Sequence, residues 1–191
     1  MKSLSLSQPH AIIMVGIPGS GKTHFAKKFA DTFHAPRVSL EDIRTHALDD
    51  AAAATLVEQY LGELLKTNQS VVLELNTSSR QKRTTLARFI KDAGYAPLFV
   101  WVQTDTDTAK QRSLRAKTHD EESYGKQLRQ FSAPHASESV LVISGKHTYA
   151  SQAKTVLKRL SEPRAQRTQP TERTADTPNA RNTTQRSIQV R

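Results

Sequence analysis

The chain has no cysteine, few aromatic residues and no long hydrophobic segment in its 191 residues. The absence of cysteine excludes a disulfide scaffold, a thiol nucleophile and a cysteine-based zinc site, and it is consistent with a reducing compartment. The longest apolar runs, 11–15 and 98–102, are five residues each, whereas a membrane-spanning helix needs roughly 20. The first run leads into a glycine-rich loop without a secretory cleavage pattern. We therefore expect a cytoplasmic protein with no membrane partner.

Hydrophobic residues are also scarce in one part of the chain. Residues 161–191 contain only five apolar side chains, against six arginines, six threonines and three prolines. So little apolar surface cannot offset the entropy of ordering the chain, which predicts a disordered basic tail at 161–191. Residues 1–160 are long enough to bury a core and are expected to form one domain.

The net charge of +10 indicates a basic protein, and both parts of the chain contribute to it. A basic surface attracts polyanions, nucleic acid first, through the release of counterions. Against this interpretation, the sequence shows no aromatic pair interleaved with basic residues that would form a base-stacking platform. Nucleic acid is therefore a possible partner on charge alone, and the oligomeric state stays open.

Apolar runs alternate with segments of helical period, which is the pattern of a parallel sheet covered by helices on both faces. The fold class is therefore α/β, with a doubly wound five-stranded parallel sheet. Strands are predicted at 11–15, 36–39, 70–75, 97–103 and 139–143. Helices are predicted at 22–33, 41–48, 51–66, 79–93, 106–117, 121–131 and 148–160.

The strongest motif lies between the first strand and the first helix and matches G-x-x-x-x-G-K-[ST], the phosphate-binding P-loop. Its residues are Gly16, Ile17, Pro18, Gly19, Ser20, Gly21, Lys22 and Thr23. Glycines let successive backbone N–H groups point at one anion, and the following helix adds its dipole. Lys22 is expected to bridge the β- and γ-phosphates of ATP, and the Thr23 hydroxyl to ligate Mg²⁺.

A second cluster of polar residues, Ser39-Leu40-Glu41-Asp42-Ile43-Arg44, follows the second strand and begins a helix. Ser39 and Asp42 have the spacing of a capping box, so Asp42 has a local explanation. Glu41 and Arg44 share a helical face at the ligand-binding edge of the sheet. Glu41 could accept a proton from an attacking hydroxyl and Arg44 could hold a phosphate. Solvated surface charges are the alternative for this pair.

Glu74 and Asn76 lie at the end of the third strand. A carboxylate that closes a hydrophobic strand is costly to bury, so Glu74 is expected to face the cleft, where Mg²⁺ or a hydroxyl group could use it. Capping of the next helix competes with a site role for Asn76, and it is the preferred role for Thr77 and Ser78.

Arg112 and Arg115 lie on one face of the helix at 106–117, where Thr104 and Asp107 are spaced like a cap. Phosphoryl transfer needs positive charge over the phosphate oxygens, so either arginine could close over them. A solvated basic face that includes Lys110 is the alternative.

These motifs, in this order, resemble those of the P-loop kinases that include the 5′-hydroxyl polynucleotide kinase domain and the zeta-toxin group. The likeness covers about residues 10–160. It rests on the loop, on SLEDIR where relatives show S-R-D-D-x-R, and on ELNTSSR where relatives read D-x-N. The segments KQRSLRAK and QLRQFSAP are also similar.

The resemblance implies roles for individual residues. Glu41 falls on the catalytic base, Arg44 on the arginine that meets the acceptor's phosphate, and Glu74 and Asn76 on residues that line the acceptor site. Arg112 or Arg115 corresponds to the lid arginine. Two family aspartates are glutamates here, which shifts their oxygens by about 1 Å, and the spacing of the two arginines is irregular.

The expected activity is therefore ATP- and Mg²⁺-dependent transfer of the γ-phosphate to a hydroxyl. A nucleic-acid 5′-hydroxyl is the first expectation for the acceptor, because the resemblance and the basic charge agree. The alternatives are a small-molecule kinase of the zeta-toxin type, acting on a nucleoside, sugar or nucleotide-sugar, and a nucleotide-dependent nucleic-acid-binding module with little turnover.

Overall fold

The computed structural model describes residues 8–116, 120–135 and 137–162. They form one parallel five-stranded sheet with the strand order β2-β3-β1-β4-β5, and seven helices, which confirms the predicted fold class. The elements are β1 (His10–Val15), α1 (Lys22–Phe33), β2 (Arg37–Ser39), α2 (Leu40–Arg44), α3 (Asp50–Leu65), β3 (Val71–Glu74), α4 (Arg80–Asp92), β4 (Ala96–Gln103), α5 (Thr106–Arg115), α6 (Glu121–Gln130), β5 (Val140–Ser144) and α7 (Tyr149–Ser161).

The sheet separates two hydrophobic cores, because successive side chains of a strand point to opposite faces. In the central strand, Ile12 and Met14 pack against α1 and α7. Ala11 and Ile13 belong to the core that α3 and α4 cover on the other face. Both faces of β1 are therefore buried, which explains its uninterrupted apolar sequence.

The strand order places β1 at the centre, between β3 and β4. The chain crosses from β1 to one side of the sheet for β2 and β3, and then to the other side for β4 and β5. Ligands of open α/β sheets bind where the direction of winding changes, beyond the carboxyl ends of the strands. The segment that follows β1 lies at this position. No helix in the described part of the chain is long and apolar enough to cross a membrane.

Two of the predicted boundaries need correction. The helix predicted at 41–48 ends at Arg44, because Thr45 Oγ1 and the His46 ring bind the Asp42 carbonyl oxygen and α2 buries no residue. Such side-chain bonds compete with the helix, and a short helix without a buried face is marginal. The tail was predicted to begin at 161, but α7 continues through Ser161. Residues 163–191 of the predicted tail, and Lys117, lie outside the described residues.

Candidate functional site

The loop after β1 bends sharply at three glycines. Gly16, Gly19 and Gly21 have φ angles of 147°, 74° and 105°, a region that other residues rarely adopt. Gly19 also lies against α5, and a Cβ built on it would be 2.0 Å from the carbonyl oxygen of Ala109. Glycine is therefore required at this position both for the turn and for the close approach of α5.

Helix α1 differs from the other helices of the described chain in how its start is capped. Side-chain oxygens of Ser39, Asp49, Ser79, Asp105, Asp120 and Thr148 accept a backbone N–H at the starts of α2 to α7. The residue in the corresponding position before α1 is Gly21, which has no side chain that could accept a hydrogen bond. The first backbone N–H groups of α1 are therefore left without a side-chain acceptor. An anion bound in the loop could accept their hydrogen bonds. Ser20 Oγ is buried there without a hydrogen-bond partner among the described residues.

Lys22 lies over its own loop. Its Nζ donates to the carbonyl oxygens of Gly16 and Ile17, each at 2.8 Å. Burial of the ammonium group lowers the pKa of Lys22 to about 8, while the nearby Glu74 carboxylate acts in the opposite direction. The charge is thus held within the loop that follows β1. Thr23, the expected Mg²⁺ ligand, is exposed in the first turn of α1.

Thr104 and Gly145, to which the sequence assigned no role in the site, contact the loop from outside. Thr104 Oγ1 donates to the carbonyl oxygen of Ser20 at 3.0 Å. A Cβ on Gly145 would lie 2.3 Å from the same carbonyl oxygen and 2.1 Å from Thr104 Oγ1. The predicted cap Thr104 therefore contacts the P-loop, and Asp105 caps α5 in its place, accepting from Thr108 N at 2.9 Å.

The structure separates the two lid candidates. The guanidinium of Arg112 donates to the carbonyl oxygen of Gly145 at 3.1 Å, next to the loop. Arg115 is exposed at the last residue of α5. Arg112 is thus the candidate that the structure brings close to the P-loop.

The β2–α2 junction carries the candidate base. Ser39 Oγ accepts the Asp42 N–H at 3.2 Å, which confirms one half of the predicted capping box. Glu41 is exposed, and its Oε2 lies 3.3 Å from Arg44. Arg44 Nε also lies 2.9 Å from Asp50 Oδ1. Glu41 and Arg44 are therefore neighbours, as their spacing indicates, and Asp50 is an additional partner.

The Glu74 carboxylate has a partner that the sequence analysis missed. Arg37, at the start of β2, forms ion pairs with both Glu74 and Asp42. Burial alone would lower the pKa of Arg37, but hydrogen bonds and charge from the two carboxylates raise it above its ordinary value. The sequence contained one signal for this pair. A carboxylate at the end of a buried strand is costly to bury, so a cation was to be expected near Glu74.

The turn after β3 departs from the expected capping. Thr77 Oγ1 donates to the Met14 carbonyl oxygen at 2.9 Å, and Ser78 Oγ to Asn76 Oδ1 at 2.9 Å. Ser79 caps α4 instead, accepting from Lys82 N. Asn76 is exposed beside Glu74, so the two expected acceptor-site residues lie at the same edge of the sheet.

A cleft of about 640 Å³ lies on the β4–β5 side of the loop. Its walls include Ile17, Trp101, Leu128, Phe131 and Val142, with Lys146 at its rim. The loop thus has a cleft with mixed polar and apolar walls on the β4–β5 side and the charged group of Glu41, Arg44 and Glu74 on the β2–β3 side.

Several solved structures share this fold. A gluconokinase from Sinorhizobium meliloti 1021 superposes with a TM-score of 0.58 and 20% identity, over 80% of this chain and 91% of that one. A sugar kinase from Janibacter sp. HTCC2649 gives 0.57 and 20%, over 79% and 93%. The Mycobacterium tuberculosis APS kinase, solved with AMPPNP and APS, gives 0.64 and 14%, over 81% and 99%. The fold is thus one that ATP-dependent P-loop kinases use.

No curated protein matches the sequence. A family model described as an AAA domain matches residues 12–135. This match runs from β1 to the segment that precedes β5, and it includes the P-loop, the β2–α2 junction, the end of β3 and α5. Because it covers more than half of the chain, the protein belongs to the AAA domain family.

Proposed function

We propose that this protein is an ATP-dependent kinase that phosphorylates a hydroxyl group of a small molecule. The observation that carries the proposal is the start of α1, where N–H groups without a side-chain cap, three glycines with positive φ and the Lys22 ammonium belong to one loop. This arrangement suits the β- and γ-phosphates of a nucleotide. The names of the structural relatives refer to small molecules, namely gluconate, a sugar and APS.

In the proposed reaction the Glu41 carboxylate takes the proton of the acceptor hydroxyl. The hydroxyl oxygen then attacks the γ-phosphorus, the bond to the β-phosphate oxygen breaks, and ADP leaves. Lys22 and the N–H groups of α1 hold the phosphates, Arg44 orients the acceptor, and Arg112 adds positive charge on the nucleotide side. Glu74 and Asn76 line the acceptor side.

The loop residues also fit a magnesium ion. Thr23 is exposed in the first turn of α1, and Mg²⁺ usually takes one or two protein ligands together with phosphate oxygens. When bound, the ion would neutralise charge on the β- and γ-phosphates. Thr23 is the residue of this chain that would hold it.

The charge at the acceptor edge favours a small acceptor over a polynucleotide. This edge carries the acidic residues Glu41, Asp42, Asp49, Asp50 and Glu74 and the basic residues Arg37 and Arg44. An excess of negative charge repels a polyanion, whatever the net charge of the whole chain. The 5′-hydroxyl of nucleic acid, favoured by the resemblance and the net charge, therefore has less support than a nucleoside, sugar or nucleotide-sugar.

A transfer assay with γ-labelled ATP tests the proposal. The acceptor panel contains sugars, sugar acids, nucleosides and nucleotide-sugars, together with DNA and RNA oligonucleotides that have 5′-hydroxyl ends, each at low and moderate salt. Lys22→Ala is the control, since transfer by the P-loop site requires Lys22. Label on a small acceptor, lost in the control, is expected. Label on oligonucleotides alone would overturn the acceptor class, and ATP binding without any labelled acceptor would overturn the kinase assignment.

A further inference from the structure

We propose that Arg37 is a positioning residue, which fixes helix α2, and with it Glu41, relative to the Glu74 carboxylate at the end of β3. The geometry of this inference comes from contacts in the structure. Its consequence for catalysis rests on the proposed function. Arg37 is absent from the motifs that predicted the site, and it is not expected to touch the substrate.

The guanidinium of Arg37 joins two elements of the acceptor edge. In the register of the sheet, Arg37 is opposite Val72 and Ser39 is opposite Glu74. The Arg37 side chain therefore runs along β3, where Nη1 binds Glu74, and Nη2 continues to Asp42 in the first turn of α2. The Arg37 and Glu74 side chains are only 16% and 9% exposed. A pair this sheltered from water is weakened much less by salt than an exposed one.

Apart from Arg37, helix α2 is held by the ion pair of Arg44 with Asp50 of α3 and by few apolar contacts. It is five residues long and buries none of them fully, and Ile43 is its contact with the core beneath α3 and α4. A helix of this length is not stable by itself. The Ser39 cap fixes the first turn of α2 to β2, whereas the pair with Asp42 fixes it to Arg37 and so, through Glu74, to β3.

This connection bears on the reaction because Glu41 immediately precedes Asp42. A rotation of α2 would move the Glu41 carboxylate relative to the γ-phosphate, and displacements near 1 Å can cost about a hundredfold in rate. Arg37 also occupies Asp42 and Glu74 as ion-pair partners. The partner of Glu41, Arg44, is itself exposed, so Glu41 can exchange this partner for an acceptor.

Arg37→Met tests the inference, because it keeps an unbranched apolar stem and removes the guanidinium that forms both ion pairs. We expect kcat to fall about tenfold or more and KM for the acceptor to rise. A loss of about tenfold is the size of effect expected when one charge-assisted hydrogen bond is removed. KM for ATP should change less than kcat, because the α1 N–H groups are not touched and Lys22 is affected only through the charge of Glu74. Arg37→Lys should rescue only part of the loss, since one ammonium group cannot serve two separate carboxylates.

Two comparisons make the result specific. Arg159→Met removes an arginine from an exposed ion pair, with Glu162 at 2.8 Å, at the far end of α7, and should leave all constants unchanged. Asp42→Asn should lower kcat in the native background but add nothing in Arg37→Met, because both remove the same connection. Full additivity of the two substitutions, or a loss confined to ATP binding, would overturn the inference.

Hydrogen exchange separates this inference from the proposed function. In Arg37→Met the amides of residues 43–47 should exchange about tenfold faster, while those of α1 stay unchanged. If the native protein labels no acceptor, the kinase proposal fails, and the exchange result still decides on Arg37. Unchanged exchange at residues 43–47 overturns the positioning role, and faster exchange confined to these residues upholds it.

Discussion

Arg83 and Glu138 form a two-point ion pair in the interior, with Arg83 Nε 2.7 Å from Glu138 Oε2 and Nη2 2.9 Å from Oε1. Arg83 Nη1 also donates to the carbonyl oxygens of Thr77 and Ser132, at 3.0 and 2.9 Å. Its side chain is 1% exposed. Helix α4 is thereby joined to the turn after β3 and to the segment before β5. Arg83 thus supports the turn that carries Asn76.

Arg83→Met is expected to destabilise the protein by about 3–5 kcal/mol, because it leaves the Glu138 carboxylate buried without its partner. The free energy of unfolding from urea titration, followed by circular dichroism, measures the change. Lys66→Met provides the control, since Lys66 pairs with Glu63 on the surface, where such pairs contribute about 0–1 kcal/mol. Equal effects of the two substitutions would contradict the structural role of Arg83.

The same pair predicts a dependence of stability on pH. Hydrogen bonds from Arg83 lower the pKa of Glu138 to about 2 against the opposing effect of burial, with help from the His135 N–H. The carboxylate therefore stabilises the fold fully above its ordinary pKa near 4.5, and this contribution, about 3 kcal/mol, is lost as the pH falls towards 2. Glu138→Gln lacks the titrating group. The free energy of unfolding of this variant should thus differ most from that of the native protein above pH 4.5, and the two values should converge in acid. Urea titrations at several pH values measure both.

Most of the fold could be predicted because its signals are local in the sequence. Strand β1 reads as an apolar run because both of its faces are buried, and α1 lies at 22–33 as predicted. Helix α2 was predicted too long, because Thr45 and His46 bind the backbone and end the helix. The sequence pattern does not contain this competition between side chain and helix.

The site, like the fold, could be predicted only in part. The P-loop is a continuous segment with a fixed spacing, so its residues could be named from the sequence. The residues that support the site come from distant parts of the chain. Arg37 is 37 positions from Glu74, Thr104 is 84 from Ser20, and Arg83 is 55 from Glu138. No spacing rule joins such pairs, because the strand order of the folded sheet brings them together.

Gly145→Ala is expected to weaken ATP binding, although Gly145 lies far from the loop in the sequence. Its Cβ would collide with the Ser20 carbonyl oxygen and Thr104 Oγ1, so the loop or β5 would have to shift. Such overpacking costs about 1–3 kcal/mol. Titration with ATP, followed by the fluorescence of the single tryptophan, Trp101, in the neighbouring cleft, measures the affinity. Calorimetry provides a second measurement.

Gly62→Ala is the matched control for this substitution. Gly62 lies within α3, and a Cβ there would meet nothing within 4 Å. Alanine should therefore stabilise the helix by about 0.5–1 kcal/mol and leave ATP affinity unchanged. Native affinity in Gly145→Ala would show that contact with Gly145 does not determine the shape of the loop.

Glu41→Gln should separate catalysis from nucleotide binding. The amide keeps the size of the side chain but cannot take the proton of the acceptor hydroxyl, and loss of a general base lowers kcat by about 10²–10⁴. Asp42 is the neighbouring carboxylate, but it is paired with Arg37, so Asp42→Asn should reduce kcat less than Glu41→Gln. ATP affinity should be native in both variants, because neither residue lies in the loop. If the two losses were reversed, the proton acceptor would be Asp42, and if Glu41→Gln turned over normally, the base would lie elsewhere at this edge.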